Sequence, residues 1–270
     1  MVPIEKAVVI VAHPDDEILW FSSVLGRCKR MVACFGSAAD PNEGFNVGRE
    51  VVSNNYPLPN AKFLRIQQSD AYQAFNWRRA QSVNGSLVFR TKNSLYSRNS
   101  SLLFDLLRAE VEHETVIFTH NPWGEYGNEE HVQVFDVLNK LRLELGFDMF
   151  VNSYVSNRSH KLMSKTLHLV SHPSGRGDGV AFGVDLELAA SIKALYLKNN
   201  CWTWMPDYEW PALEMFYRVA DKAGPPQVSC SSTVPLNYVN FKFAFSHTER
   251  LASRVLPTRV KKMVRGLRTA

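Results

Sequence analysis

The chain has 270 residues, 45% hydrophobic and 21% charged, which is ordinary globular composition and enough length for a sizeable core in one large domain or two small ones. No window approaches the roughly 18 uninterrupted apolar residues of a membrane span, and the N-terminus runs into a strand-like segment without a charged leader or cleavage site. The expectation is therefore a soluble, cytoplasmic protein. The net charge of +5 and pI near 9.0 would suggest a nucleic-acid partner, but residues 249–270 hold seven Lys or Arg against Glu249 alone, leaving the rest of the chain at −1. Basicity confined to a tail disfavours nucleic-acid binding.

In chain order, residues 5–12 (EKAVVIVA) read as a buried strand, and DEILWFSSVLGR follows with apolar positions at helical spacing. RMVACFG reads as a strand, GREVVSNNY as a helix and AKFLRI as a strand; AYQAFNWRRAQSVNGSLVFRTKN then interrupts the rhythm as an inserted loop or short hairpin. SSLLFDLLRAEV (helix), TVIFTH (strand), EEHVQVFDVLNKLRLEL (helix) and DMFVNSYV (strand) complete a first half of βαβ units on a largely parallel sheet. The second half, to about residue 240, carries strand-like runs KTLHLVS and GVAFGV, the helix DLELAASIKALYLKNN and the aromatic stretch CWTWMPDYEW. The four cysteines are scattered, with no CxxC pair, which fits a reducing compartment.

In such sheets ligands bind where strand-to-helix loops gather, outside the carboxyl ends of the strands. VAHPDDE, residues 11–17, is such a loop. It has no glycine for a dinucleotide phosphate, and its carboxylates would repel one, so a cation is the natural guest. His13 and Asp16 offer a nitrogen and an oxygen, a set that zinc accepts with a third ligand and an open position. In the alternative reading, Asp15 or Asp16 caps the helix, Glu17 complements its dipole and His13 is a strand-end residue. A second strand-to-helix loop, HNPWGEYGNEEHVQVF, tips the balance because it brings His131, in the first turn of the next helix, to the same edge.

AHPDDE at 12–17 paired with GEYGNEEH at 124–131 resembles the LmbE-like (PIG-L) superfamily of zinc-dependent N-acetylglucosaminyl deacetylases, over residues 1 to about 155. The resemblance implies a Rossmann-like three-layer α/β sandwich with a mostly parallel sheet and a smaller C-terminal α/β extension. It divides the chain into one domain over 1–248 (core 1–155, pocket-shaping part 156–248) and a tail over 249–270. It implies metal ligation by His13, Asp16 and His131, Asp15 as general base, and hydrolysis of the N-acetyl group of a glucosamine-type sugar or glycoconjugate. The metal would be Zn2+, although two nitrogens and one oxygen also accommodate other divalent ions.

One position departs from the family pattern: Asn128 stands where a histidine is usual, and an amide can donate to an oxyanion but cannot shuttle a proton. Tyr126 matches a loop tyrosine that reaches the oxyanion, and Arg49 a helix-borne arginine near the substrate; a surface aromatic and a solvated arginine are the plain alternatives. Trp123 is a candidate for stacking on a sugar, against packing over the core. His120 is a candidate buttress of the ligand loop, His172 a candidate visitor from the second half, and CWTWMPDYEW either core or sugar-binding wall. In the tail, Val260, Met263, Val264 and Leu267 form an apolar stripe behind a possible cap at Thr258, so a peripheral contact with an anionic membrane stands beside a subunit interface or a frayed end. The sequence leaves oligomeric state and sugar carrier open, and two other functions remain: a metal hydrolase of another acyl bond, and a non-catalytic sugar binder.

Overall fold

Four consecutive β-branched residues begin the architecture. In the computed structural model, which describes residues 2–38, 43–69, 81–83, 86–88, 94–170, 179–205, 207–220 and 235–240, strand β1 (Val8–Val11) is fully buried at every position, as an inner parallel strand covered on both faces must be. Strand β1 is preceded by a 3-10 turn over Ile4–Lys6, so the strand is shorter than the apolar run suggested. The run DEILWFSSVLGR is two helices, α1 (Asp16–Trp20) and α2 (Ser22–Leu25), broken at Phe21. The break has a buried cause: Glu214 accepts from Ser22 Oγ, Ser23 N and Ser23 Oγ, so the opening of α2 is satisfied from across the fold.

The chain continues through β2 (Arg30–Phe35), α3 (Glu43–Asn54), β3 (Ala61–Ile66) and the antiparallel hairpin β4 (Gln81–Val83) and β5 (Ser86–Val88). Next come α4 (Ser94–Val111), β6 (Val116–Thr119), α5 (Glu129–Leu145), β7 (Asp148–Asn152) and β8 (Tyr154–Ser156). The second half supplies α6 (His160–Thr166), β9 (Gly179–Gly183), α7 (Leu186–Lys198), β10 (Leu213–Arg218) and β11 (Asn237–Val239). KTLHLVS is not a strand: it finishes α6 and turns through a 3-10 segment over Leu167–Leu169, with Leu162, Thr166 and Leu169 buried at helical intervals. The alternation of Leu167, His168 and Leu169 gave a period-2 signal too short to separate the two conformations.

Seven strands form one sheet in the order β3-β2-β1-β6-β7-β10-β9. The first five are mutually parallel, whereas β10 runs antiparallel to both β7 and β9. This is the Rossmann-like α/β arrangement, and the C-terminal α/β part continues the same sheet. After β3 the chain crosses back to the other side of β1 to form β6, so the order reverses between β1 and β6. A crevice opens at such a switch point outside the carboxyl ends of the strands.

Met1–Val239 and Asn240–Ala270 are separate units, and the second, with the basic tail, lies outside the described residues apart from Asn240. No helix among the described residues is long and apolar enough to cross a membrane. The three described cysteines, Cys28, Cys34 and Cys201, are free and buried.

Helix α3 approaches the end of α7 at Gly48, where an added Cβ would lie 2.0 Å from the Asn199 carbonyl oxygen. No rotamer change moves a backbone oxygen, so Gly48→Ala forces the helices apart at a cost of about 1–3 kcal/mol. Thermal unfolding should show Tm lowered by about 2–4 °C for each kcal/mol lost in a chain of this size; an unchanged Tm would show that the helices separate freely.

Candidate metal centre and active site

The loop after β1 closes on itself before α1 begins. Asp16 N donates to His13 O at 3.2 Å, and His13 N donates to Asp16 Oδ2 at 2.8 Å. Asp15, between them, is driven to φ 98°, a left-handed conformation that costs a non-glycine residue on the order of 1 kcal/mol or more. That geometry turns adjacent carboxylates different ways. Neither behaves as a plain cap: Asp15 makes no side-chain capping bond, and Asp16 Oδ1 accepts instead from the Trp20 indole at 3.1 Å.

After β6, the backbone passes through left-handed Gly124, Glu125 and Gly127 before α5. Gly124 is required for space as well as torsion, since a Cβ there would lie 2.4 Å from Asn128 O. Asn128 is the N-cap of α5, its Oδ1 accepting from Glu130 N at 2.9 Å and His131 N at 3.4 Å. A cap of this kind stabilises a helix by about 1 kcal/mol.

These two loops bring three ligand atoms together. His13 Nδ1 lies 3.2 Å from Asp16 Oδ2 and 3.3 Å from His131 Nε2, and His131 Nε2 lies 3.2 Å from Asp16 Oδ2. Bonds of about 2.0–2.1 Å to a tetrahedral ion place neighbouring ligand atoms about 3.3–3.4 Å apart. The donor set and its spacing therefore fit zinc or a similar divalent ion. His13, Asp16 and His131 are all buried, and the opposite nitrogen of each imidazole is held by a carboxylate: His13 Nε2 by Glu130 at 2.7 Å, His131 Nδ1 by Glu125 at 2.5 Å. Such partners fix the tautomer and orient the free nitrogen inward.

A second grouping, His120, Glu125 and His131, has the composition of a metal site but is filled by its own hydrogen bonds. His120 Nε2 accepts from Ala12 N at 2.8 Å, so its Nδ1 donates to Glu125 at 3.1 Å. The His120 ring stacks on His131 with centroids 3.9 Å apart, in the buttressing position expected of it. Glu125 also accepts from Asn152 Nδ2 at 2.5 Å.

The electrostatics divide the carboxylates. Burial raises every one, but the imidazoles of His131 and His13 hold Asp16 well below the usual range, His120 and His131 hold Glu125 down at about 2, and His13 with Ser69 keeps Glu130 low. Asp15 and Glu17 have no such partner. Burial lifts Asp15 to about 6, moderated by the Arg49 charge and raised further by Asp16, and lifts Glu17 to about 7 despite hydrogen bonds from the Tyr196 and Tyr56 hydroxyls. Asp15 Oδ2 is fixed by Thr203 N at 3.0 Å and by the Thr203 hydroxyl, while Oδ1 accepts no hydrogen bond among the described residues. His131 goes the other way: burial lowers it, but Asp16 and Glu125 win and push it up to about 10.

The remaining expected residues divide. Tyr126 is half-buried, its ring centroid 5.5 Å from that of His131 and 4.8 Å from that of Trp204, and its hydroxyl accepts from Asn128 Nδ2 at 2.9 Å. Asn128 thus caps α5 with its oxygen and holds Tyr126 with its nitrogen. Arg49 is 4% exposed rather than solvated, with Nη1 donating to Gly36 O at 2.8 Å. Trp123 corrects the sugar-stacking expectation: it is 0% exposed and its indole donates to Tyr154 O at 2.7 Å, so no face is open to a sugar. From CWTWMPDYEW, Cys201, Trp204 and Tyr208 are buried, and Trp204 packs edge-on against Trp20. His172 lies outside the described residues.

Sequence reasoning passed over Glu125 and Glu130, although both lie inside the second motif; carboxylates beside a ligand histidine were the available signal. Glu17 was read only as a partner for the helix dipole. Thr203 carried no signal at all, because its contact with Asp15 spans 188 positions.

The chain matches no family model and no curated protein sequence. It is similar to solved structures. A deacetylase–teicoplanin complex from the teicoplanin biosynthesis pathway aligns with TM-score 0.51 and 12% identity, covering 79% of this chain and 97% of that one. The zinc-inhibited form of teicoplanin deacetylase gives the same values, and the antimicrobial A40926 pseudoaglycone deacetylase aligns with TM-score 0.50 and 14% identity, covering 82% and 99%. The fold is that of these deacetylase structures. Within it, the first and second motifs occupy the ends of β1 and β6, the two strands that flank the switch point.

In chelator-treated protein the His131 imidazolium should keep its proton to about pH 10, read from ring chemical shifts. A raised histidine stabilises the fold fully below its ordinary 6.5, and that contribution is lost as pH climbs from there to about 10. Glu125→Gln removes one of the two anions responsible, so the midpoint should move down by about one unit or more; an unmoved midpoint would mean that Asp16 alone sets it.

Proposed function

We propose that this chain is a metal-dependent hydrolase that removes the N-acetyl group from an N-acetylglucosamine-type sugar or glycoconjugate, with Asp15 as general base. The observation that carries this reading is the 3.2–3.3 Å triangle of His13, Asp16 and His131 at the switch point, with a second carboxylate beside it that no imidazole holds down. The AHPDDE and GEYGNEEH motifs and the deacetylase activity of proteins with this fold support the choice of bond.

When held by His13 Nδ1, Asp16 Oδ2 and His131 Nε2, a divalent ion supplies Lewis acidity toward the acetyl carbonyl and lowers the pKa of water. The chain's own residues do the rest. Thr203 fixes Asp15 Oδ2, so Oδ1 is the atom that takes the proton from the attacking water and returns it to the departing amine as acetate forms. At about 6 its affinity for a proton is matched to neutral pH, low enough to be ionised and high enough to accept. Tyr126 stays a neutral phenol, since burial raises it well above its usual value, and is the donor best placed to meet an oxyanion. Asn128 is a positioning residue that acts through Tyr126, so the usual histidine's proton-shuttling task falls to Asp15. Because one relative is known in a zinc-inhibited form, the resident ion is a matter for a panel of divalent metals rather than zinc alone.

Asp15→Asn should retain stoichiometric metal yet lose about 10²- to 10⁴-fold of kcat for acetate release from N-acetylglucosamine conjugates. Chelation should abolish the wild-type rate, and kcat/KM should fall as the pH is lowered and Asp15 takes up its proton. Stoichiometric metal with no acetate from any N-acetylated sugar would end the deacetylase reading.

A further inference from the structure

Helix α7 ends in a turn with a local cause. Asn199 closes the helix and Asn200 takes φ 54°, a left-handed conformation that asparagine tolerates better than most residues. Asn200 N donates to Leu197 O at 3.1 Å and Cys201 N to Tyr196 O at 3.1 Å, the paired bonds of a Schellman motif. The turn packs close on α3 at Gly48, whose lack of a Cβ admits Asn199 O. It sends the chain back to the ligand triangle, where Thr203 N and Oγ1 donate to Asp15 Oδ2 and the Trp204 ring centroid lies 4.8 Å from that of Tyr126.

Tyr196 is the hub of this turn. Its carbonyl accepts from Cys201 N, and the hydroxyl of its fully buried side chain donates to Glu17 Oε1 at 2.7 Å. Glu17 Oε2 in turn accepts from Asp15 N at 2.8 Å. Tyr56, in the connection from α3 to β3, donates its hydroxyl to the same Glu17 Oε1 at 2.9 Å, so both carboxyl oxygens are fixed.

Asp15 is thereby held twice from the end of one helix. Its backbone is held through Tyr196 and Glu17, and its side chain through Tyr196 O, Cys201 and Thr203. Both grips bear on the geometry. A left-handed aspartate persists only when its surroundings over-determine it, and a carboxyl on a mobile backbone is free to change rotamer. With the amide and Oδ2 both taken, the place of Oδ1 is set.

We infer that Tyr196 is a positioning residue for Asp15: through Glu17 and through the turn it anchors, it fixes Oδ1 relative to the triangle of His13, Asp16 and His131. The use made of Asp15 rests on the hydrolase reading, whereas the hydrogen bonds do not. Positioning of this kind acts on rate more than on binding, since a displacement of about 1 Å at a reacting group costs on the order of 10²-fold.

Tyr196→Phe deletes the hydroxyl and leaves the ring and the carbonyl in place. Tyr217→Phe is the comparison, because it removes a hydroxyl bonded to Pro235 O at 2.6 Å on β10, three strands from β1 in the sheet. In the metal-loaded full chain, kcat and KM would be measured with an N-acetylglucosamine glycoside, bound metal by mass spectrometry, and hydrogen exchange at the amides of Asp15 and of Val9 in β1. Tyr196→Phe should lower kcat about tenfold or more at unchanged KM and metal content, and speed exchange at Asp15 about tenfold relative to Val9. A plain loss of stability speeds both amides alike, and Tyr217→Phe should leave kcat and the exchange ratio as they are. An active enzyme whose kcat is unchanged in Tyr196→Phe, or falls only in step with its metal content, would overturn the inference and leave the deacetylase intact. If the wild type releases no acetate from any N-acetylated sugar, the amides decide alone: faster exchange confined to Asp15 leaves the positioning role standing without the deacetylase, and an unchanged ratio removes both.

Discussion

Five carboxylates, Asp15, Asp16, Glu17, Glu125 and Glu130, are buried at one edge of a single sheet, and the local structure depends on how their charge is managed. Left unpaired they would repel one another and lose their hydration. The imidazoles of His13, His120 and His131 lie among Asp16, Glu125 and Glu130 and keep those three ionised. Asp15 and Glu17 have only hydroxyls, backbone amides and the more distant Arg49 for company, and rise to about 6 and 7. One short acidic loop thereby contains groups with opposite tendencies, which is the condition for dividing metal ligation from proton transfer.

The same constraint makes the triangle a place suited to a cation. Three negative groups around two imidazoles leave the ligand triangle short of positive charge, and the structure meets part of the deficit by holding His131 protonated. A divalent ion in the triangle would replace that proton and neutralise more. Glu125 and Glu130, which orient the imidazoles from behind, are therefore as much part of the site as the three residues of the triangle.

Topology explains how so many acids meet. The reversal of strand order between β1 and β6 opens the one place where two strand-to-helix loops face each other without a crossover helix above them. The second half then reaches back over the opening: Glu214 on β10 satisfies α2, and Thr203 clasps Asp15. The departure at Asn128 is compatible with this frame. An asparagine both caps α5 and positions Tyr126 through one amide, joining a helix terminus to the site with the shorter of the two amide side chains.

The βαβ rhythm is legible in the chain's apolar pattern, because parallel strands buried on both faces must be continuous apolar runs, and so is α5 in full, because its cap and its terminal Gly146 are local signals. His13, Asp16 and His131 are legible as a group too, since each stands just past a strand end on the same edge of the sheet. What sequence reading misjudged had no local determinant. KTLHLVS carries both periods, Phe21 breaks a helix because of a glutamate nearly two hundred residues away, and Trp123 looks like a loop aromatic until the chain folds over it. The surroundings that set Asp15 and Asp16 apart become visible only in the folded chain, because Thr203, Arg49 and the depth of burial are all supplied by segments remote in sequence. A side chain's electrostatic surroundings are set by what packs against it, whereas the order of elements is written in each segment's own pattern of apolar residues.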